Sequence, residues 1–384
     1  MFFMMPVKLN VVIIGIKLNS NAGCLKLWSE DGYESERIFI NDTEDVYHWG
    51  GNGTSLQIKE QLTRIGVKNI FSLPVYTIPL LPHIPAKVSD IGTREEFIQH
   101  LAPIANAMNA SDFIVVNGEW TIHDFKPGVR ALLFLIIAAK KFFNKRVYLI
   151  NHSCYPNSTD ENILNYYKEA YRSCEFIAAR ESLSCLIIRM VLGVSCAESF
   201  DSLPLTIKKI QHDIPERLIA DDYVCISGAV NYNLLKTDFI VAKIKKNYPN
   251  HKIIYLTGSK KEGIHKKEQA VISHYLEKFP EIVDFDAKAL EDWLSIIKHS
   301  AVLISGRYHY TIAGACFGTP MVYFSSNTPK IEAIAYDNGL PPVVATEAEY
   351  NERLDSLHKI HWHSKLDLLC KKAEENYNWP DVKP

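Results

Sequence analysis

The sequence predicts an α/β protein built from two Rossmann-like, doubly wound domains. Three observations carry this. Apolar runs of strand length recur along the chain, each followed by a turn and a helical pattern. The series breaks once, at the polar, Pro215-containing stretch TIKKIQHDIPERLIADD (206–222), and then begins again. The chain has 384 residues, 47% hydrophobic and 22% charged, enough to bury two cores.

The first series opens with DFIVVNG (112–118), followed by a helix over 130–143. RVYLINH (146–152) is followed by a helix near 160–173. FIAAR (176–180) leads into ESLSCLIIRMVLG, where Leu183, Leu186, Ile187 and Met190 share one helical face and Gly193 is the stop. The second series runs YVCISGA (223–229), a helix over 234–247, KIIYLTG (252–258), helices over 266–278 and 289–298, AVLISG (301–306), a helix over 309–317, and PMVYFSS (320–326). These patterns set the expected domains at 1–210, with an additional segment at 1–35, and 211–365. A terminal helix and tail at 366–384 is placed to cross back to the first domain.

Composition excludes several classes. A formal net charge of -2 argues against nucleic-acid binding. The eight cysteines show no CxxC spacing, which points to reduced, buried thiols in a cytoplasmic protein rather than a zinc ribbon or disulfide framework. The opening MFFMMPVKLNVVIIGIK is interrupted by Pro6 and Lys8 and lacks a small-residue cleavage site, so no signal peptide is expected. ALLFLIIAA (131–139), ended by Lys140, Lys141 and Lys145, is too short to span a bilayer and reads as a buried helix. Membrane association is expected to be peripheral at most.

Parallel sheets present their sites at the carboxyl ends of strands, so the residues following each strand are the candidates. In ISGRYHYTIAGACFGTPMVYF (304–324), Arg307 and His309 follow a strand, with Tyr308 between them, and open a helix. A guanidinium beside the free N–H groups of a helix start suits an anion. Gly314 and Gly318 are expected to let that helix pack closely on the sheet, and Pro320 to start the next strand. In AARESLS, Arg180 follows a strand, and either aims at a ligand or pairs with Glu181 or a neighbouring carboxylate. His152, in LINHSCYP, also falls at a strand end.

Three weaker constellations complete the set. HWGGNGTS reads as a glycine turn before a helix, with Gly50, Gly51 and Asn52 allowing close backbone approach and Thr54 and Ser55 opening the helix. VVNGEW offers Asn117, Gly118 and Glu119. SSNTPKIEA offers Ser325, Ser326 and Asn327 for phosphate or sugar hydroxyls, Lys330 as a cation and Glu332 as a hydroxyl acceptor. Asp284 and Asp286 form a DxD read as loop rather than metal ligands, and no metal site is expected. Trp362 and Trp379 are read as exposed aromatics that could serve an acceptor or a homodimer.

Two such domains facing across a cleft resemble the B-type glycosyltransferase (GT-B) architecture. Taken in order, the motifs over 36–340 resemble the polysaccharide pyruvyl transferase family. Its late block corresponds to Arg307, His309, Ala313 or Ala315, Gly318, Pro320 and Lys330. The strand-to-helix step corresponds to Ala179, Arg180 and Ser184, and an early motif to Asp42, Thr43, Trp49, Gly50, Thr54 and Ser55. The chain departs from the family pattern at Tyr308, often leucine, at Asn52, where Gly-Asp is usual, and at Asn117-Gly118-Glu119, where Gly-Gly is usual.

The resemblance implies transfer of a pyruvyl group from phosphoenolpyruvate to two hydroxyls of a sugar, forming a ketal without a cofactor. The acceptor would be a glycan or a lipid-linked sugar, with the first domain on the acceptor side and the second on the donor side. Arg180 and Arg307 would then clamp the donor's carboxylate and phosphate, and His309 and His152 would act as acid and base. A glycosyltransferase taking a CMP-activated acidic sugar fits the same residues, with SSNTPK holding the nucleotide phosphate. A non-catalytic carbohydrate-binding scaffold is the third reading.

Overall fold

The computed structural model describes residues 9–16, 48–74, 81–118, 122–230, 238–259 and 266–380. Asp42, Thr43 and Glu119 lie outside them. The chain divides into two compact units. One comprises residues 1–42, 55–201 and 374–384, the other 43–54 and 202–373.

The first unit holds a six-stranded sheet in the order β2-β1-β3-β5-β7-β8, parallel throughout. Its elements are β1 (Leu9–Ile16), the part of α1 (Trp49–Arg64) from Ser55 onward, β2 (Val67–Pro74), α2 (Arg94–Ala110), β3 (Phe113–Asn117), α3 (Pro127–Phe143), β5 (Arg146–His152), α4 (Glu161–Arg172), β7 (Phe176–Ala179), α5 (Ser182–Ile187) and β8 (Ala197–Glu198). A small parallel pair joins β4 (Ile122–His123) to β6 (Cys154–Tyr155). Within the segment read as additional, β1 pairs with β2 on one side and β3 on the other. Apart from Asn10 and Gly15, LNVVIIGI is aliphatic, the composition usual in an interior strand of a parallel sheet.

Both faces of this sheet are indeed covered. Ile114, Val116, Val147 and Leu149 face a core shared with α2, α3 and α4. Phe113, Val115, Tyr148 and Ile150 face Ile58 and Leu62 of α1 and Trp379. Trp379 is therefore a core residue and not the exposed aromatic expected; its ring stacks on Tyr148 at 4.8 Å. Trp362 is half-buried against the core of the second unit.

The apolar face expected of α5 is also corrected. Ser184, Cys185, Ile188 and Leu192 are buried, whereas Leu186 is 55% and Met190 77% exposed. Cys185, Ile188 and Leu192 are themselves three and four residues apart and join the core of the first unit, so packing rather than periodicity sets the buried face; one π turn over Ile188–Leu192 follows α5.

The second unit has the strand order β11-β10-β9-β12-β13, again all parallel. It begins with the first turn of α1, then α6 (Leu203–Ile210), β9 (Tyr223–Ala229), α7 (Phe239–Asn247), β10 (Lys252–Leu256), α8 (Lys266–Lys278), β11 (Val283–Phe285), α9 (Leu290–Lys298), β12 (Val302–Gly306), α10 (Tyr308–Phe317), β13 (Met321–Tyr323), α11 (Lys330–Asp337), α12 (Glu347–Ser356) and α13 (Leu366–Glu374). The stretch read as a linker opens inside α6, which buries Leu203, Thr206 and Ile207. Asp284 belongs to β11, and the Asp286 carboxylate pairs with Lys288. Gly314 packs on β13, where an added Cβ would meet Met321 Sδ at 2.3 Å. Gly318 is closely packed too, but against the backbone of His363 and Ser364 rather than the sheet, and at φ +71° it closes α10 in the left-handed conformation.

The strand order reverses between β9 and β12, and crevices at such switch points are where open α/β sheets take their ligands. Among the described residues, no helix is long and apolar enough to cross a membrane. The described cysteines carry no disulfide, and all but Cys174 are buried.

Candidate functional site

In the second unit, four chain segments meet at the carboxyl ends of the strands. Arg307 is the residue between β12 and α10. Its backbone N–H donates to Ser305 Oγ at 3.0 Å, and the Ser227 hydroxyl at the end of β9 donates to the same oxygen at 2.8 Å. The Arg307 guanidinium pairs with the Glu268 carboxylate on α8. His309, in the first turn of α10, is 5% exposed, and its ring centroid lies 5.2 Å from that of His48.

HWGGNGTS is not the glycine turn expected. From Trp49 it is already helical, and Thr54 Oγ1 donates back to the Gly50 carbonyl at 3.2 Å. The glycines sit in the helix because of what lies against it. A Cβ on Gly50 would fall 2.3 Å from the His309 Cβ. The first turn is fastened by the Trp49 N–H donating to Gly258 O at 2.8 Å and by Thr206 Oγ1 donating to Gly53 O at 2.7 Å. His48 caps it, with Nδ1 accepting from the Gly51 N–H at 3.5 Å. Asn52 is buried, and its N–H donates to His48 O.

Two motifs that are separate in the sequence meet at Tyr308. Its ring lies under Lys330 Nζ, 5.6 Å from the centroid, an arrangement suited to a cation–π contact. Beyond β13, Ser325 and Ser326 are half-buried and Asn327 is exposed, its Oδ1 accepting from Ser326 Oγ at 3.1 Å. Glu332 is half-buried, and desolvation raises its carboxyl above the usual range.

In the first unit, β3, β5 and β7 end in a second cluster. Asn151 Nδ2 donates to Asn117 Oδ1 at 3.0 Å. His152 is fully buried, with Nδ1 2.9 Å from the Ala178 carbonyl. A carbonyl only accepts, so Nδ1 carries the proton and Nε2 the lone pair. Among the described residues Nε2 has no hydrogen-bond partner. Burial, and then the Arg180 charge, lower this imidazole to about 3. Gly118 makes the room, since a Cβ there would lie 2.3 Å from the His152 Cβ.

Arg180 follows the carboxylate-pairing alternative. It is 1% exposed, pairs with the buried Asp201 at 2.9 Å, and donates through Nη2 to Ser153 Oγ at 3.2 Å. The partner is Asp201, 21 residues along the chain, rather than the neighbouring Glu181. Glu181 instead accepts from Ser153 Oγ at 3.0 Å, from Tyr155 OH at 2.9 Å, and from Ser184 Oγ. Burial raises its carboxyl, opposed by the Arg180 charge and these three hydroxyls. The sequence reading missed Glu268, His48, Asp201 and the Glu181 network. Only His48, beside the glycine-rich run, stood where a local signal could have found it.

The close contacts carry an expected result. Gly50→Ala and Gly118→Ala should each destabilise the protein by about 1–3 kcal/mol through overpacking. At an unobstructed helical position, glycine to alanine stabilises by about 1 kcal/mol. A raised melting temperature for Gly50→Ala would therefore contradict the contact with His309.

His152 carries a second. Its folded value lies below the 6.5 of an ordinary histidine. Its contribution to stability is thus complete above about pH 6.5 and is lost as pH falls toward 3, because only the unfolded chain takes up the proton in that window. Glu181, shifted upward, acts in the opposite direction, and both variants share it. Melting curves between pH 7 and 4 should fall more steeply for the wild type than for His152→Gln. Equal slopes would contradict a neutral buried imidazole.

Two parallel, doubly wound units in one chain define the class, that of the B-type glycosyltransferase fold. Solved structures share this fold over most of the chain. UDP-GlcNAc 2-epimerase from Methanocaldococcus jannaschii in complex with UDP-GlcNAc and UDP is 10% identical, with a TM-score of 0.55, covering 97% of this chain and 98% of that one. The Rickettsia bellii UDP-N-acetylglucosamine 2-epimerase is 13% identical at 0.54, covering 97% and 95%. Sucrose-phosphate synthase from Thermosynechococcus elongatus is 12% identical at 0.51, also covering 97% and 95%. At such identities the likeness is one of fold alone. The sequence pattern of the family "Polysaccharide pyruvyl transferase" matches residues 28–328, and the chain belongs to that family. No curated protein sequence matches it.

Proposed function

We propose that the protein transfers a pyruvyl group from phosphoenolpyruvate to two hydroxyls of a sugar, on a cell-surface polysaccharide or its lipid-linked precursor, forming a pyruvate ketal. The observation that carries this reading is the Arg307–His309 step at the switch point of the second sheet, in a chain of this family. Phosphoenolpyruvate presents a carboxylate and a phosphate. A guanidinium and the opening N–H groups of α10 suit such an anion, and an imidazole beside them suits proton transfer near neutral pH.

The chemistry runs as follows in this reading. Protonation of donor C3 makes C2 electrophilic. One sugar hydroxyl adds to C2 and gives up its proton. The C2–O bond to phosphorus's oxygen breaks and inorganic phosphate leaves. The second hydroxyl then adds to C2, loses its proton, and closes the ketal. Charge develops on the departing phosphate, where Arg307 and helix N–H groups act best. Lys330, Ser325, Ser326, Asn327 and Glu332 are proposed to line the same strand ends. The surroundings of Arg180 favour a structural role for it, since its guanidinium is engaged by Asp201 and Ser153. The surroundings of His152 likewise favour a structural role, since a fully buried imidazole lowered to about 3 is a poor proton donor or acceptor near neutral pH.

The test is turnover. Incubation with phosphoenolpyruvate and bacterial surface glycans or lipid-linked sugars should release phosphate only when an acceptor is present. The product should carry the mass of the acceptor plus pyruvate less water. Release of CMP from a CMP-activated acidic sugar, with phosphoenolpyruvate inert, would replace this reading with a glycosyltransferase.

A further inference from the structure

We infer that Cys185 and Cys196 form an oxidant-responsive modification site: hydrogen peroxide joins the two thiols in a disulfide that staples α5 to the start of β8. Both are free thiols, with their sulfurs 3.3 Å apart. Cys185 lies in α5 and is 1% exposed; Cys196 directly precedes β8 and is 7% exposed. A disulfide holds its sulfurs about 2.0 Å apart, so bond formation asks for a movement of about 1.3 Å, within reach of small side-chain rotations. The backbone on either side is already held. Ser184, next to Cys185, accepts from the Cys154 N–H at 2.8 Å. Ala197, next to Cys196, pairs with Ala178 of β7, and Arg189 Nη2 donates to the Cys196 carbonyl at 2.5 Å. The thiols therefore meet through the fold and not through a chance approach of two loose segments.

The segment between them is the one that gains. It carries the π turn over Ile188–Leu192, with Ile188 and Leu192 buried and Leu186, Met190 and Val191 exposed. A bond between cysteines 11 positions apart closes it into a loop and removes disorder from the unfolded chain. The chemistry balances with peroxide alone. Cys196 is the less buried and reacts first. Its thiolate attacks one peroxide oxygen, the O–O bond breaks, and hydroxide leaves to take up the thiol proton as water. Cys185 then attacks the sulfur of the resulting sulfenic acid. The S–S bond forms, the S–O bond breaks, and the second hydroxide takes the Cys185 proton as water. Two thiols lose two electrons, and one peroxide becomes two waters. The hydrogen bond with Cys185, and then burial, push the Cys196 thiol up. Thiolate is therefore scarce at neutral pH, and the first step is slow.

The experiment is prolonged incubation of the purified full chain with hydrogen peroxide. Remaining thiols are then blocked with N-ethylmaleimide in denaturant, and tryptic peptides are weighed without reduction. Cleavage after Arg180, Arg189 and Lys208 separates the two cysteines. The expected product is peptide 181–189 joined to peptide 190–208, lighter by the two thiol hydrogens and parted by dithiothreitol. It is counted with or without one added oxygen, because the exposed Met190 also meets the oxidant. Freed of peroxide, the oxidised wild type should melt about 5–10 °C above the reduced protein. Cys185→Ala and Cys196→Ala, treated alike, should show neither the joined peptide nor the rise. The wild-type peptide map stands without either variant. Both cysteines recovered as maleimide adducts, Cys196 recovered as a sulfinic acid, or peptide 181–189 joined to the peptide carrying Cys154 overturns the inference. A joined peptide with an unchanged or lowered melting temperature overturns the staple.

Discussion

Arg307→Ala is expected to weaken phosphoenolpyruvate binding by about thirtyfold to a thousandfold. Removing one partner from a hydrogen-bonded charge pair costs about 2–4 kcal/mol, and each 1.4 kcal/mol is tenfold. The Arg307 side chain is 16% exposed, accessible enough to meet a ligand and buried enough for its charge to be poorly screened. The variant also strands the buried Glu268 carboxylate, so stability falls as well. The double change Arg307→Ala with Glu268→Gln removes that stranded charge. It should recover melting temperature without recovering donor binding. Arg307→Lys keeps the charge and loses the fork, and should fall between wild type and alanine. If all three bind the donor equally well, Arg307 is a structural residue.

Asp201→Ala is expected to give the largest loss of stability of any single change considered. Arg180 and Asp201 are 1% and 0% exposed, and the variant leaves a guanidinium buried without its carboxylate. Breaking a buried pair by removing one partner costs about 3–5 kcal/mol. For a unit of this size that is a fall of about 6–20 °C in melting temperature. The loss should appear in the first unit, as faster amide exchange in β5 and β7, with β9 and β12 protected as before. Asp201→Asn, which keeps an acceptor oxygen, should lose less. A variant that melts like the wild type but no longer binds phosphoenolpyruvate would return Arg180 to the donor contacts.

The sheets were legible because buried parallel strands read as unbroken apolar runs; YVCISGA and AVLISG mark β9 and β12 almost to the residue. The residues after those strands were legible for the same reason, since Arg307 and His309 interrupt an otherwise apolar passage. Orientation was less accessible. The periodicity of α5 names an apolar stripe over Leu183, Leu186, Ile187 and Met190, but the chain buries the neighbouring one through Cys185, Ile188 and Leu192, equally helical in its spacing and chosen by packing against the core. Glycine in HWGGNGTS signals a turn by its conformational freedom, yet here it serves close contact with His309 inside a helix, which only the fold reveals.

Partners distant in sequence were not legible at all. Glu268 lies 39 residues before Arg307 in an ordinary amphipathic helix. Asn376 lies 225 residues beyond Asn151, yet its Oδ1 accepts from the Asn151 N–H at 2.9 Å and its Nδ2 donates to Phe200 O at 2.6 Å. Asn151 has a φ of +55°, a conformation that asparagine tolerates better than most residues, and it directly precedes His152. The terminal segment thus helps define the strand end that presents this imidazole.

The central claim is that the Arg307–His309 step binds phosphoenolpyruvate. Its most direct test is a calorimetric titration of the wild-type protein with phosphoenolpyruvate and, separately, with CMP, repeated on Arg307→Ala. The account predicts saturable binding of phosphoenolpyruvate that the variant loses, and none of CMP. Binding of CMP with no heat from phosphoenolpyruvate would contradict it.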